Sequence, residues 1–350
     1  MTLVEKEKRT FGYYVRRFTT NRFSIFTVLC LITGFFVLLE YKLNGVGLIC
    51  KGDAAVQHYP ALAYYGEFLR EIVRTLVTEH RLVIPSWDMN IGYGGEIVTT
   101  LHYYCLGDPL TLISVFFSEK DVELCYSLLV IIRIYLAGIA MLCYCRHRGT
   151  AVYSSVAGAI AYCFCGYAVS AGIFHPFFAT PLVYFPLLLW GAELIFEKKT
   201  PFVFIASVAL SLLSNFYFFY MQVIFVILYV LLRYIPVYGK IRIKEFFGVM
   251  MRFFLFAVAG MLIAMPVFLP NIISLLQSDR VSVERIIPLF YPDSYYEALP
   301  EGIVSVFGSY YVYLSISAVA VVALFVMLSK FRKENIPLII AVTVLISFLL

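Results

Sequence analysis

The sequence predicts an all-α, polytopic integral membrane protein: a helical bundle whose first outer loop is structured and carries amphipathic interfacial helices. Three observations predict it. Of 350 residues, 62% are hydrophobic and 14% charged, against about 25% charged in a soluble domain. Apolar stretches able to cross a bilayer core of about 30 Å, each needing about 20 helical residues, recur along the chain. Basic residues gather in alternate connections, as the positive-inside rule requires. The net charge of +5, from 27 Lys and Arg against 22 Asp and Glu, is too small and too dispersed for a nucleic-acid surface, so no nucleic-acid partner is expected.

Residues 1–22 form a cytoplasmic N-terminus with six basic residues between Lys6 and Arg22, and seventeen uncharged residues then precede Glu40. A basic flank before an apolar run orients the first span with its N-terminus inside. No small-x-small cleavage site follows, so the segment reads as an uncleaved anchor. The transmembrane domain occupies 23–350, with further apolar stretches at about 124–145, 151–171, 176–196, 201–232, 253–276, 302–329 and 336–350. The 201–232 stretch is long for one span. Lys198 and Lys199 precede it and Arg233, Lys240, Arg242, Lys244 and Arg252 follow it. Both sets belong on the cytoplasmic side, so the stretch must be a hairpin with Ser214–Tyr220 at its outer tip. The sequence ends inside the apolar run AVTVLISFLL, which predicts a longer protein.

This topology leaves two long outer loops, 41–121 and 271–301. In the first, Leu62, Tyr65, Leu69, Ile72, Val73 and Leu76 form one helical stripe opposite Glu67, Arg70, Glu71 and Arg74. Such a helix lies in the interface. Pro109–Phe117 is too short to span and is expected to dip into the outer leaflet. Six of the eight cysteines lie in or beside spans and read as small buried hydrophobes; Cys50 and Cys105 share the outer loop and are the one candidate pair.

Phosphate loops, H-E-x-x-H helices, dinucleotide fingerprints and G-x-S-x-G elbows are absent from the sequence. What remains is an outer-loop constellation. KGDAAVQHYP brings Asp53, Gln57 and His58; the four-residue step puts Asp53 and Gln57 on one helical face. IPSWDMNIGYGGE brings Trp87, and LHYYCLGDPL brings His102, Tyr103, Tyr104 and Asp108. Carboxylates, amides and aromatic rings at the water–lipid boundary suit chemistry on a lipid-linked sugar. Each has an ordinary reading too: turn-forming Asp, belt Trp and Tyr, a glycine turn. Arg133, ten residues into its span, needs a partner. That partner is either an acid on another span or polar loop groups reached by snorkelling, or else the phosphate of a bound substrate, shared with Arg280.

The order of these elements resembles a family. One span, then Asp53-x-x-x-Gln57-x-x-Pro60, Pro85-x-Trp87 with Gly92 and Gly94, Asp108-Pro109, Arg133 within the next span and Asn215–Tyr217 at a tip together look like the bacterial YfhO family of membrane proteins. The resemblance covers nearly the whole chain. It implies a GT-C-like helical bundle and a glycosyltransferase that takes its sugar from a polyprenyl-phosphate donor. The acceptor it implies is a cell-envelope polymer such as lipoteichoic acid, at the outer face of the bacterial cytoplasmic membrane. It also implies an essential acid in the first outer loop, which Asp53 matches, as general base or as ligand of a divalent ion such as Mg or Mn. Asp108 is then expected as a second carboxylate near the donor phosphate, and Gln57, His58, Trp87, Tyr103, Arg133 and Arg280 as substrate-binding groups. A transporter or flippase for a lipid-linked substrate and a non-catalytic envelope scaffold are the competing classes. The first needs polar or broken helices at mid-membrane; the second needs none of the acids.

Overall fold

The computed structural model describes residues 20–277, 292–297, 322–323, 325–326 and 329. Most of the expected span at 302–329, all of that at 336–350, most of the second long loop with Arg280, and most of the basic N-terminus lie outside the described residues.

The described chain is helical almost throughout. Helix α1 (Arg22–Leu43) opens at Asn21, whose side chain accepts from the Phe23 amide. After it a π-helical turn (Ala54–His58) runs into α2 (Tyr59–Glu79). A two-residue hairpin, β1 (Trp87–Asp88) with β2 (Gly95–Glu96), pairs antiparallel with Trp87 opposite Glu96. Helix α3 (Ile97–Leu101) follows, capped by the Glu96 carboxylate on the Thr99 amide. A 3₁₀ segment (Pro109–Phe116), capped by Asp108, then leads into α4 (Val122–His147).

The second half is bundle. Helices α5 (Val152–Cys163), α6 (Gly166–Val169) and α7 (Ala171–Phe174) replace the single span expected at 151–171, with a bend of 45° between α5 and the α6–α7 segment. The break falls where Phe164 leaves the helix and Cys165 is extended, next to Gly166, a residue that gains little by staying helical. Helices α8 (Thr180–Phe196), α9 (Phe202–Ser214), α10 (Phe216–Tyr238) and α11 (Ile243–Leu276) complete it. Among the described residues five helices are long and apolar enough to cross a membrane, six if the bent pair counts as one.

The hairpin of 201–232 is present. Asn215 leaves helical geometry between α9 and α10, and its side chain accepts from the Tyr217 and Phe218 amides. Arg22 reaches the Thr150 carbonyl and the Ser155 hydroxyl. Lys199 and His147 both pair with Glu197. Arg22, Lys199 and His147 therefore gather at one end of the bundle, while Asn215 and the first loop share the other. Helix α11 begins at Ile243, ten residues before its apolar stretch, because Lys and Glu are good helix formers that are excluded from hydrocarbon and not from helices.

The first loop is a folded cap. Leu62 and Tyr65 of α2 are buried with Ile97, Leu101 and the α4 residues Val122, Tyr126 and Leu129. The same stripe farther along, Val73 and Leu76, stays exposed to about half, as an interfacial helix requires. Cys50 and Cys105 both lie in this core as free thiols. At Gly107 a Cβ would stand 1.7 Å from the Leu213 carbonyl oxygen, so only glycine lets the loop press onto the hairpin tip.

Candidate functional site

At the first-loop end the π turn sets the key geometry. Gln57 Nε2 donates to Asp53 Oδ1 at 2.8 Å. The Tyr104 hydroxyl donates to Gln57 Oε1 at 2.8 Å. Asp53 keeps 45% of its side chain exposed, and its other oxygen faces His175 Nε2 at 3.9 Å. His175 Nδ1 in turn lies 2.9 Å from Nε2 of the fully buried His58. If His175 presents an Nε2 proton to Asp53, its Nδ1 accepts from His58, a tautomer assigned from the network.

Electrostatics keep this pair neutral. Burial, aided by His175 and then Arg133, lowers His58 to about 3. Burial also lowers His175, with Asp53 pulling the other way. Around them stands an aromatic rim: Phe178 stacks on His175 at 4.7 Å between ring centres and meets Tyr103 edge-on at 5.5 Å. Burial raises Tyr103 to about 12, with smaller pushes from Tyr104, Tyr217 and Asp53; its hydroxyl stays protonated at neutral pH.

A depressed folded pKa for a histidine means that the unfolded chain binds more protons below about 6.5, so folding stability should fall as pH drops from there toward 3. A His58→Phe protein is expected to show a flatter dependence of unfolding temperature on pH across that window. Equal slopes for the two proteins would remove His58 as the cause.

Asp108 and Arg133 sit beneath this rim and satisfy each other. Asp108 Oδ2 accepts from Arg133 Nη2 at 2.7 Å and from the Thr180 hydroxyl at 2.9 Å, while Arg133 Nε donates to that hydroxyl at 2.9 Å. Asp108 Oδ1 caps the 3₁₀ segment through the Leu110 amide. Both side chains are closed to solvent, and the guanidinium lies over the Phe177 ring at 5.1 Å. The sequence left Arg133 an acid on another span, polar loop groups or a substrate phosphate; the structure gives it an acid, and that acid comes from the first loop. Arg133 Nη1 has no hydrogen-bond partner.

Trp87 is placed elsewhere, on the β-hairpin. It is 57% exposed and lines a cleft of about 640 Å³ with Tyr64, Phe68, Glu67 and Asp88. The structure thus brings Asp53, Gln57, His58 and Tyr103 together, ties Asp108 to Arg133 below them, and sets Trp87 on its own cleft. His175 is the group that sequence reasoning missed; it sits in a short turn with no motif. The signal that could have found it is its place in a short turn at the same end of the bundle as the first loop.

As a metal site the arrangement is thin. Among the described residues no group of three or more His, Cys, Asp and Glu side chains is placed to hold an ion. One carboxylate and one imidazole would leave most of the shell of a Mg or Mn ion to water or other oxygen ligands.

The fold and this capped end define a class: a multi-pass helical membrane protein with a folded first loop over polar groups. Within it the particular family is clear, since residues 24–350 match the model of the family described as bacterial membrane protein YfhO, and the chain belongs to that family. It is also 44% identical over 59 residues to "Uncharacterized protein YfhO" of Bacillus subtilis (strain 168), a match covering 17% of this chain and 7% of that protein. No solved structure matches the chain.

Proposed function

We propose that this chain is part of a glycosyltransferase that moves a sugar from a polyprenyl-phosphate donor to a cell-envelope acceptor, such as lipoteichoic acid. In this reading it works at the outer face of the bacterial cytoplasmic membrane, with its N-terminus inside. The observation that carries the reading is Asp53: a half-exposed carboxylate held by Gln57 and faced by His175, beside aromatic rings at the bundle end remote from the clustered cations.

The chemistry needs few groups. An acceptor hydroxyl attacks the anomeric carbon, the bond from that carbon to the phosphate oxygen breaks, and polyprenyl phosphate leaves with the electron pair. Asp53 takes the hydroxyl proton as it attacks. Gln57 and Tyr104 hold the carboxylate in one rotamer. His58 acts through His175, fixing the ring that faces Asp53. Tyr103 and Phe178 offer flat faces to a sugar ring.

The test is transfer from labelled polyprenyl-phosphate hexose in right-side-out and inverted vesicles of the full-length protein. Asp53→Asn keeps size and hydrogen bonding while removing the base, so the rate should fall about 10²-fold. Transfer should depend on donor in the outer leaflet. Undiminished transfer by folded Asp53→Asn would sink the site. Loss of transfer in chelator would assign a divalent ion to Asp53 instead of the proton.

A lipid-linked-substrate transporter is the second reading, favoured by the 45° break in the α5–α7 span. It predicts movement of the labelled lipid between leaflets with no transfer, and insensitivity to Asp53→Asn.

A further inference from the structure

The cleft beside Trp87 has a chemistry of its own. Trp87, Tyr64 and Phe68 supply rings, with Tyr64 and Phe68 stacked at 14° between planes. Glu67, Asp88 and Asn90 supply polar groups on the same walls. Gly94, at φ +109°, lies under the indole, where a Cβ would stand 3.0 Å from Trp87 Cζ2. The hairpin therefore holds the ring on a backbone floor with its other side open.

Asp88 is prearranged: Oδ2 accepts from the Tyr64 hydroxyl at 2.6 Å and Oδ1 from the Asn90 amide at 2.8 Å. Glu71 is engaged with Arg74 at 2.6 Å. No Lys or Arg is among the residues that line the cleft. Carboxylates accept hydrogen bonds and never donate them, so these walls want a ligand rich in donors. They repel one rich in phosphate. The volume is within the range of about 300–1,000 Å³ usual for small-molecule sites and far larger than one ammonium group needs.

The cleft shares Tyr64 and Asn90 with a smaller recess that reaches Tyr104, and Tyr104 is the residue that holds Gln57 against Asp53.

We infer that the Trp87 cleft is a saccharide subsite that takes uncharged, hydroxyl-bearing sugar rings and excludes polyphosphate, leading toward Asp53. This rests on the glycosyltransferase reading for its place in a reaction, though not for binding itself. A phosphate-linked polymer would then present its sugar here and keep its phosphates outside.

Within these 350 residues Trp87 and Trp190 are the two tryptophans, so in a full-length protein in which Trp190 and any tryptophan outside them are replaced by Phe, Trp87 is the sole emitter. In lipid nanodiscs free of sugar-headed detergent, maltotriose or chitotriose should quench or shift Trp87 emission saturably. Asp88→Asn and Tyr64→Phe should each weaken that response about tenfold. A short-chain prenyl-phosphate glucose tests the donor as source of the sugar: saturation by it alone assigns the cleft to the donor, and saturation by free trisaccharide to the acceptor. Saturation by poly(glycerol phosphate) or spermidine in place of the neutral sugars overturns the inference. So does quenching of Trp87 by brominated lipid, or the lack of a saturable response to any of the sugar probes in a folded protein. Asp53→Asn should bind saccharide normally while losing transfer. Transfer without a sugar response at Trp87 would remove the cleft and leave the transferase. A response without transfer from any donor would do the reverse.

Discussion

Arg133→Met is expected to cost about 3–5 kcal/mol of stability, because it strands Asp108 as an unpaired, buried carboxylate. The pair joins three elements: Asp108 from the loop, Arg133 from α4 and Thr180 from the start of α8. Its loss should loosen the first-loop cap before the bundle. Arg133→Met combined with Asp108→Asn removes both charges and should recover a large part of the loss. Unfolding in lipid or mild detergent measures both proteins. A double variant no better than Arg133→Met would show that the arginine acts without Asp108. The rescued protein also tests whether Arg133 binds the donor phosphate: unchanged affinity for polyprenyl phosphate would leave the ion pair as its whole role.

At the other end of the bundle, Glu193→Ala should cost about 3 kcal/mol. Glu193 is 2% exposed and accepts from Arg148 Nη1 at 2.9 Å, from Arg233 Nε at 2.7 Å and from the Tyr229 hydroxyl. Removing it leaves two guanidiniums facing each other where α4, α8 and α10 meet. The figure sits at the low edge for a broken buried pair because Arg148 and Arg233 keep some solvent, 34% and 23% exposed. Thr180 and Glu193 are thirteen residues apart on one helix, roughly 20 Å. Glu193→Gln keeps an acceptor for the three donors and should weaken the protein less than Glu193→Ala, and at that distance neither should alter the activity proposed for Asp53. An unfolding temperature unchanged by Glu193→Ala would show that the cluster is not what ties these helices.

Much of the architecture was legible because membrane spans are written locally. The 201–232 stretch shows why. Its length and its flanking cations alone demanded a turn, and Asn215 caps the helix that leaves it. The α2 stripe was legible for the same reason, since Leu62 and Tyr65 face a core whatever that core is made of. The break at Cys165 was not: an apolar run of sufficient length reads as one span, and the helix ends there on backbone geometry that hydropathy does not record.

The site divides along the same line. Asp53 and Gln57 are four residues apart, so their hydrogen bond could be anticipated from spacing, even though the turn that makes it is π-helical. Sequence alone determined that this chain is an all-helical membrane protein and that the 201–232 stretch reverses at Asn215. Those are properties of runs and short spacings, set by the cost of placing charge and backbone in hydrocarbon. Only the tertiary structure decided that His175 faces Asp53 and is held by His58 across 117 residues, that Arg133 takes its partner from the loop, and that Trp87 opens on a separate cleft. Those pairings depend on how helices pack, and packing brings together residues whose separation along the chain carries no period to read.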